Sequence, residues 1–304
     1  MNNFINKLHI ENLNITHSGK VRDSFSLNNG TRLIFVSDRI SAFDNILETP
    51  VPMKGAVLNK LTNFWFEKTR HIIRNHFIEE IDPNVTLVKE VTPIRVEMVV
   101  RGYLTGSMWR YYEQGKRNFS GVQVSDGLRK NYKFEHPIIT PTTKEDSDRE
   151  ITPAEVVSTG LASETVFSKM RETALKLFDF GSKLLADKGI LLVDTKYEFG
   201  VDEEGLILID EIHTPDASRF WRAEDYAANP LTAEQIDKEF VRLWLIKNKI
   251  NNEYPTALSP EIIEETTNRY LDIYTSVTGQ VLSTEISFDI EKRIIANLMF
   301  HHFF

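Results

Sequence analysis

Cysteine is absent from all 304 residues, so disulfides, thiolate zinc sites and a thiol nucleophile are excluded. Positive charge is also scarce. The 36 Lys and Arg face 44 Asp and Glu, and the net charge of −8 argues against a general affinity for nucleic acid. A local basic pocket for a phosphorylated metabolite is compatible with that balance. No apolar run approaches the roughly 20 residues that span a bilayer, so no membrane partner is expected. The opening stretch, MNNFINKLHIENLN, has no positive flank followed by an apolar core; no secretion signal is read there, and the cytoplasm is the expected compartment. Internal repeats and low-complexity linkers are missing as well. The pair His301-His302, followed by two Phe, reads as a helix end rather than a metal site. What is present, 41% hydrophobic and 26% charged residues, is the composition of a soluble globular chain with one large or two ordinary domains.

The most informative stretch is 191–221, LLVDTKYEFGVDEEGLILIDEIHTPDASRFW. Its two apolar runs, 190–193 and 206–209, flank a turn of Gly and acidic residues and read as a β-hairpin. Side chains on a strand alternate, so Asp194, Lys196 and Glu198 share one face. A register pairing Glu198 with Leu208 or Leu206 brings Asp210 onto the same face, with Glu211 beside it. Carboxylates on buried strands are costly unless paired or bound to a cation. Hard oxygen ligands next to a Lys suit Mg²⁺ bridging the phosphates of a nucleotide. A salt-bridged surface hairpin has the same residues.

Elsewhere the pattern is strand-rich in front and helix-rich behind, an α+β chain. Strands are expected on either side of the Asn28-Asn29-Gly30 turn, at 85–89 and at 94–102, with Thr92-Pro93 as a crossing between lobes. Helical spacing runs over 54–74, with Leu58, Leu61, Trp65 and Ile72 or Ile73 as a core stripe. Short and long helices follow at 105–114, from Pro153, and at 163–188 with a stop at Gly189. The segment 137–153 is polar and Pro-rich and reads as a long loop. Three more helices are expected at 232–248, 259–278 and 287–300.

Several segments carry candidate chemistry. Gly19-Lys20-Val21-Arg22-Asp23 has the make-up of a phosphate-covering turn: Gly admits an anion to the backbone and Lys20 supplies a point charge. It lacks the full P-loop pattern, and taken by itself an ordinary hairpin turn fits it better. Ser37, Asp38, Arg39 and Ser41 follow an apolar strand and offer hydrogen bonds to a polar ligand, or simply a helix cap. In 97–107, Arg101 ends an apolar strand, and two Gly, Thr105 and Ser107 precede a helix. That combination suits a phosphomonoester. His213 is given no role, because a lone His is more often structural.

Taken in order, GKVRDSF, VSDRISAFD, VVRGYLTGS, TPTTK, DTKYEFG and DEIHTPDASRFW closely resemble the SAICAR synthase family of purine biosynthesis. The resemblance covers 19–221; 222–304 carry no motif, and no second enzyme domain is seen. It implies a two-lobed α+β fold distantly like protein kinases and ATP-grasp enzymes. An antiparallel-sheet lobe over 1–90 would clamp ATP, and an α+β lobe over 91–304 would hold the metal and ribotide sites. It implies an ATP-dependent ligase joining L-aspartate to the carboxylate of carboxyaminoimidazole ribotide (CAIR) through an acyl phosphate. The products would be succinocarboxamide, ADP and phosphate.

By position, the resemblance puts Gly19, Lys20 and Arg22 over the ATP phosphates, and Leu87, Lys89 and Glu90 on the connecting strand that meets adenine. Glu198 and Asp210 would hold Mg²⁺, with Lys196 on the nucleotide. Glu97, Arg101, Ser107, Asp216 and Arg219 would bind the substrates. Asp38, Arg39 and Ser41 would line their pocket, and Lys144 would reach in from the loop that also carries Asp148. Lys20, Lys196 and Arg219 are the expected catalytic groups. Joining polyanions calls for charge neutralisation more than for a protein nucleophile, and none with an evident base is present. Partners would be small molecules only, and the chain a monomer or small homo-oligomer. A small-molecule kinase would use the same parts without needing aspartate. A non-catalytic nucleotide-binding protein would be expected to lack Lys20, Glu198 or Asp210, and all three are present.

Overall fold

A computed structural model describes every residue except 1, 2, 11, 12, 44, 145–148, 234, 235, 237, 288 and 304. The first sheet is built from β1 (Ile15–Ser18), β2 (Arg22–Ser26) and β3 (Thr31–Val36). A two-residue pair follows, β4 (Ser41–Ala42) with β5 (Asn45–Ile46), and then helix α1 (Lys54–Thr69). Strands β6 (Phe77–Asp82) and β7 (Val85–Lys89) complete an antiparallel sheet of order β1-β2-β3-β7-β6. Its two faces separate by strand alternation. Phe25, Leu33, Phe35 and Val85 turn toward the N-terminal residues Ile5, Leu8 and Ile10. Ile34 and Val36 instead join the core around α1. The helix stops at Thr69, five residues short of the expected end; the Thr69 hydroxyl turns back onto the carbonyl of Trp65, and Ile72 and Ile73 pack on the core from the turn that follows.

Only Glu90 and Val91 separate β7 from β8 (Thr92–Leu104), the first strand of the second sheet. Helix α2 (Gly106–Glu113) comes next. After it lie the small hairpin of β9 (Asn118–Phe119) and β10 (Val122–Gln123), then β11 (Tyr132–Ile139) and β12 (Thr142–Thr143). Both β11 and β12 pair with β8, so the expected loop at 137–153 is sheet edge at 137–139 and 142–143. Helix α3 (Pro153–Ser158) opens with a capping box at Thr152 and Glu155, and α4 (Glu164–Ala186) is capped by Ser163. The central strand β13 (Ile190–Asp202) pairs with β8, with β14 (Gly205–Ile209) and with β15 (Ser218–Arg222). The remaining helices are α5 (Ala223–Ala228), α6 (Glu239–Lys247), α7 (Pro260–Thr278) and α8 (Ile290–Phe300). The helix expected from 232 begins at Glu239, behind a short 3₁₀ turn at Pro230–Thr232.

Strand β13 carries the feature that makes the cleft. Leu192 pairs with Phe220 but Asp194 with Arg219, so Val193 is one residue too many on that side. Such a bulge shifts the alternation by one. Ile190 and Leu192 before it, and Tyr197 and Phe199 after it, all join the core with Phe167, Met170, Leu177 and Phe178 of α4. The even-numbered Asp194, Lys196 and Glu198 are left on the opposite face, toward the cleft. Gly102 permits this packing, because a Cβ there would sit 3.2 Å from Phe178 and 3.3 Å from the Val193 carbonyl.

Candidate active site

The cleft face of β8 and β13 is a ladder of mostly charged side chains: Arg101 opposite Asp194, Val99 opposite Lys196, and Glu97 opposite Glu198. Strand β15 adds Arg219 on the other side of Asp194. This ladder floors a cavity of about 750 Å³ whose walls include Ser107, Tyr111, Lys116, Thr142, Arg149, Glu150, Pro215, Asp216, Ala217 and Arg242. Of the expected site residues, Glu97, Arg101, Ser107, Lys196, Asp216 and Arg219 line it.

At one end two guanidinium groups share one carboxylate. Arg219 Nη1 lies 2.6 Å from Asp194 Oδ2 and Arg101 Nη1 3.5 Å from it, while Arg101 Nε donates to Thr140 Oγ1 at 2.8 Å. Burial, only partly offset by Asp194, lowers the Arg101 pKa; the group still remains a cation at any working pH. Ser107 sits in the first turn of α2, where N–H groups lack intrahelical partners. Gly106 has φ +59°, and a Cβ there would lie 2.5–2.8 Å from the Arg219 guanidinium, so only glycine lets that group rest against the helix start. Two guanidinium groups gathered at Asp194, with Glu239 3.8 Å from Arg219, lie beside the first turn of a helix, a combination that suits a phosphate.

At the other end two carboxylates face each other directly across the strands, an arrangement that repels unless a cation intervenes. Lys196 is that cation, with Nζ 2.9 Å from both Glu97 Oε1 and Glu198 Oε1 and 3.8 Å from Asp210 Oδ2. Lys144 Nζ contacts the other oxygen of Glu198. Burial first, then Asp210, pushes Glu198 up to about 7. Burial would raise Asp210 too, but Arg22, Lys196 and Lys144 together hold it well below the usual carboxylate range. Glu198 pairs with Ile209 rather than with Leu206 or Leu208, so plain alternation would turn Asp210 away. A left-handed backbone at Asp210, φ 64°, brings its carboxylate back beside Glu198 and Lys196. Adjacent carboxylates, one buried and one half-buried, fit a Mg²⁺ ion, which takes one or two protein carboxylates and fills its other positions with water and phosphate oxygens. Among the described residues no group of three or more acidic, His or Cys side chains could hold a metal, so a protein-only cage is not on offer.

Other expected site residues lie elsewhere. Asp38 is buried, accepting backbone N–H bonds from Ile5 at 2.9 Å and Gly55 at 2.8 Å, and does not line the cavity. Burial raises its pKa to about 6 against those two bonds. Arg39 pairs with Asp23 at 3.0 Å, and the Ser41 hydroxyl accepts from Lys238. Arg22, expected over the phosphates, is held between the lobes by Glu211 at 2.7 Å and Asp210 at 3.9 Å. Gly19 closes the turn by donating to the Arg22 carbonyl, and Lys20 is exposed at its tip. Leu87 lies on an interior strand, and the backbone N–H groups of Lys89 and Glu90 donate to His76 and Gly30. The side chains of Lys89 and Glu90 pair with Asp202 and Arg32. Asp148 is outside the described residues. His213 is fully buried, 2.6 Å from the Tyr197 hydroxyl and edge-on to Trp65. Sequence reasoning passed over Lys54, Lys116, Arg149, Lys238 and Arg242; each occurs in a polar stretch or at a helix end, where a basic residue reads as solvated.

Known proteins resemble this chain over most of its length. The sequence model of the family described as SAICAR synthetase matches residues 15–257. The phosphoribosylaminoimidazole-succinocarboxamide synthase of Legionella pneumophila (strain Paris) is 44% identical over 276 residues, 87% of this chain and 88% of that protein. Among solved structures, the SAICAR synthase of Saccharomyces cerevisiae complexed with SAICAR superposes with a TM-score of 0.82 at 34% identity, over 92% of this chain and 99% of that one. A SAICAR synthetase in complex with ADP gives 0.70 at 26% identity, over 88% and 99%. This chain therefore belongs to the SAICAR synthase family, the phosphoribosylaminoimidazole-succinocarboxamide synthases, ligases of purine biosynthesis.

Proposed function

We propose that this chain uses ATP to join L-aspartate to the carboxylate of carboxyaminoimidazole ribotide. The observation that carries the reading is the two-ended cleft: a phosphate-matched end at Arg101, Arg219 and Ser107 shares one strand face with the acidic end at Glu97, Lys196 and Glu198. The ribotide carboxylate oxygen attacks the γ-phosphorus of ATP and ADP leaves, giving an acyl phosphate. The aspartate amine, once neutral, adds to the acyl carbon, and inorganic phosphate departs with the C–O bond. Both steps gather negative charge, and fixed cations in a low-dielectric cleft stabilise it best. Lys196 is set to neutralise the transferring phosphoryl group, while Arg101 and Arg219 fix the far end of the ribotide and so the position of its carboxylate. Glu198 and Asp210 would hold Mg²⁺, which supplies Lewis-acid charge to the phosphates when bound. Lys20, at the tip of its turn, would cover the nucleotide phosphates.

The finer expectations belong to the same proposal: Mg²⁺ as the metal, a cytoplasmic place of work, lobes divided near residue 90, and a monomer or small homo-oligomer. Among the described residues no helix is long and apolar enough to cross a membrane. The test is ADP release with ATP, Mg²⁺, the ribotide and L-aspartate, omitting each in turn. The ligase requires all four and forms succinocarboxamide. Release that persists without aspartate would identify a kinase instead.

A further inference from the structure

Asp216, on the cavity wall, gathers more positive charge than it can neutralise. Lys54 Nζ donates to its Oδ2 at 2.9 Å, Tyr270 donates to Oδ1 at 2.7 Å, and Lys238 Nζ lies 3.6 Å from Oδ2. Lys54 is fully buried and the Lys238 side chain is only 8% exposed. Glu211, the next acidic group, is held by Arg22 and Thr214, and Glu239 by Arg242 and Arg219. Two buried ammonium groups thus share one carboxylate, a costly arrangement unless an anion joins them. The other contact of Lys238 among the described residues is the Ser41 hydroxyl at 3.4 Å. Its acidity fits that imbalance: burial, together with Lys54 and Arg242, lowers Lys238 to about 8 against the pull of Asp216 and Glu211. Lys238 and Arg242 are four residues apart at the start of α6 and so share one helix face, and Arg242 lines the cavity beside Asp216.

The ribotide phosphate and the nucleotide already have matching cations in this cleft. The amino-acid co-substrate, a dicarboxylate, needs a cation of its own. We propose that Lys238, with Arg242 beside it, anchors a carboxylate of that amino acid. The assignment rests on the ligase reading and deepens it.

The test compares two nucleophiles in the wild type, Lys238→Met and Lys238→Arg. L-aspartate carries carboxylates; hydroxylamine carries none and traps the acyl phosphate as a hydroxamate. Lys238→Met should raise the KM for aspartate roughly 10- to 100-fold, the scale of one lost charge-assisted hydrogen bond. Its KM for ATP and for the ribotide, and its hydroxamate rate, should stay within about threefold of wild type. Lys238→Arg, which keeps the charge, should recover much of the aspartate affinity. Equal losses with both nucleophiles, or an Arg variant as poor as the Met one, would overturn the anchor. Should Lys238→Met fail to fold, Lys238→Gln makes the same comparison, retaining a donor to Ser41 without the charge. A wild type that releases no ADP with either nucleophile would sink the ligase reading itself, whereas an active ligase unaffected by Lys238→Met would sink this assignment alone.

Discussion

Asp194 shows how one side chain sets the charge of a whole site. By splitting itself between Arg219 at 2.6 Å and Arg101 at 3.5 Å, it holds both guanidinium planes in place, with Glu239 a further 3.8 Å from Arg219. In the proposed function these two guanidinium groups are what the ribotide phosphate meets. Arg219 also depends on the residue with no side chain next to it, because a Cβ on Gly106 would strike three of its guanidinium atoms. Gly106→Ala should therefore push Arg219 off Asp194 and raise the KM for the ribotide about 10-fold or more, with that for ATP little changed. Arg101→Ala should do the same from the opposite side. Steady-state kinetics with each substrate varied would check both, and equal effects on ATP and ribotide would remove this end of the cleft from the ribotide.

Among the elements, β13 does most to build the site, and it shows what a sequence can and cannot carry. The spacing of Asp194, Lys196 and Glu198 is local, so their common face was readable from alternation alone. The bulge at Val193 and the left-handed Asp210 were not, because both are imposed by pairing with strands distant in sequence. Strand β11 was hidden for a different reason. Pro137 marked it as loop, yet β11 is an edge strand, where a missing N–H is tolerated. Lys54, Lys238 and Arg242 gave no signal because nothing local distinguishes a buried basic group from a solvated one. On the far side of β13, Tyr197 and His213 hold the sheet to α1 and α4. A Cβ on Gly181 of α4 would come 2.3 Å from the imidazole, so the ring fits only against glycine. Burial lowers His213 to about 3. The unfolded chain takes up this proton near pH 6.5 and the folded chain does not. The associated stability is therefore complete above pH 6.5 and lost as pH falls toward 3, at up to about 1.4 kcal/mol per pH unit. His76, lowered to about 4 mainly by burial, acts with the same sign. His213→Gln should thus reduce, without abolishing, the slope of stability between pH 4 and 6.5. Urea unfolding at a series of pH values measures it, and an unchanged slope would refute the neutral buried imidazole.

At the scale of the molecule, the two sheets are tied by helices that come from the wrong end of the chain. Helix α1, encoded with the first sheet, packs into the core of the second through Leu58, Leu61 and Trp65. Helix α8, the last element, closes the first sheet, with Ile290, Ile294 and Leu298 against Phe25, Leu33, Phe35 and Val85. Its polar tie is Arg293, which donates to both oxygens of Asp82 at 2.9 Å and to Asn84 at 2.7 Å; Asn297 adds a bond to Asp82 at 2.8 Å. The Asp82 side chain is fully buried. Removing Arg293 would strand that carboxylate, a change that costs about 3–5 kcal/mol when a buried pair loses one partner. The cost should fall on the first sheet and not on the second, whose core contains none of α8. Arg293→Ala should accordingly lose amide-exchange protection over 31–36 and 85–89 while β8 and β13 keep theirs. Nucleotide affinity should weaken, because the turn carrying Lys20 hangs from that sheet, while ribotide affinity in the absence of nucleotide should hold. Protection lost evenly across both sheets would mean that the two sheets unfold as one unit, and that α8 serves the whole molecule rather than the first sheet alone.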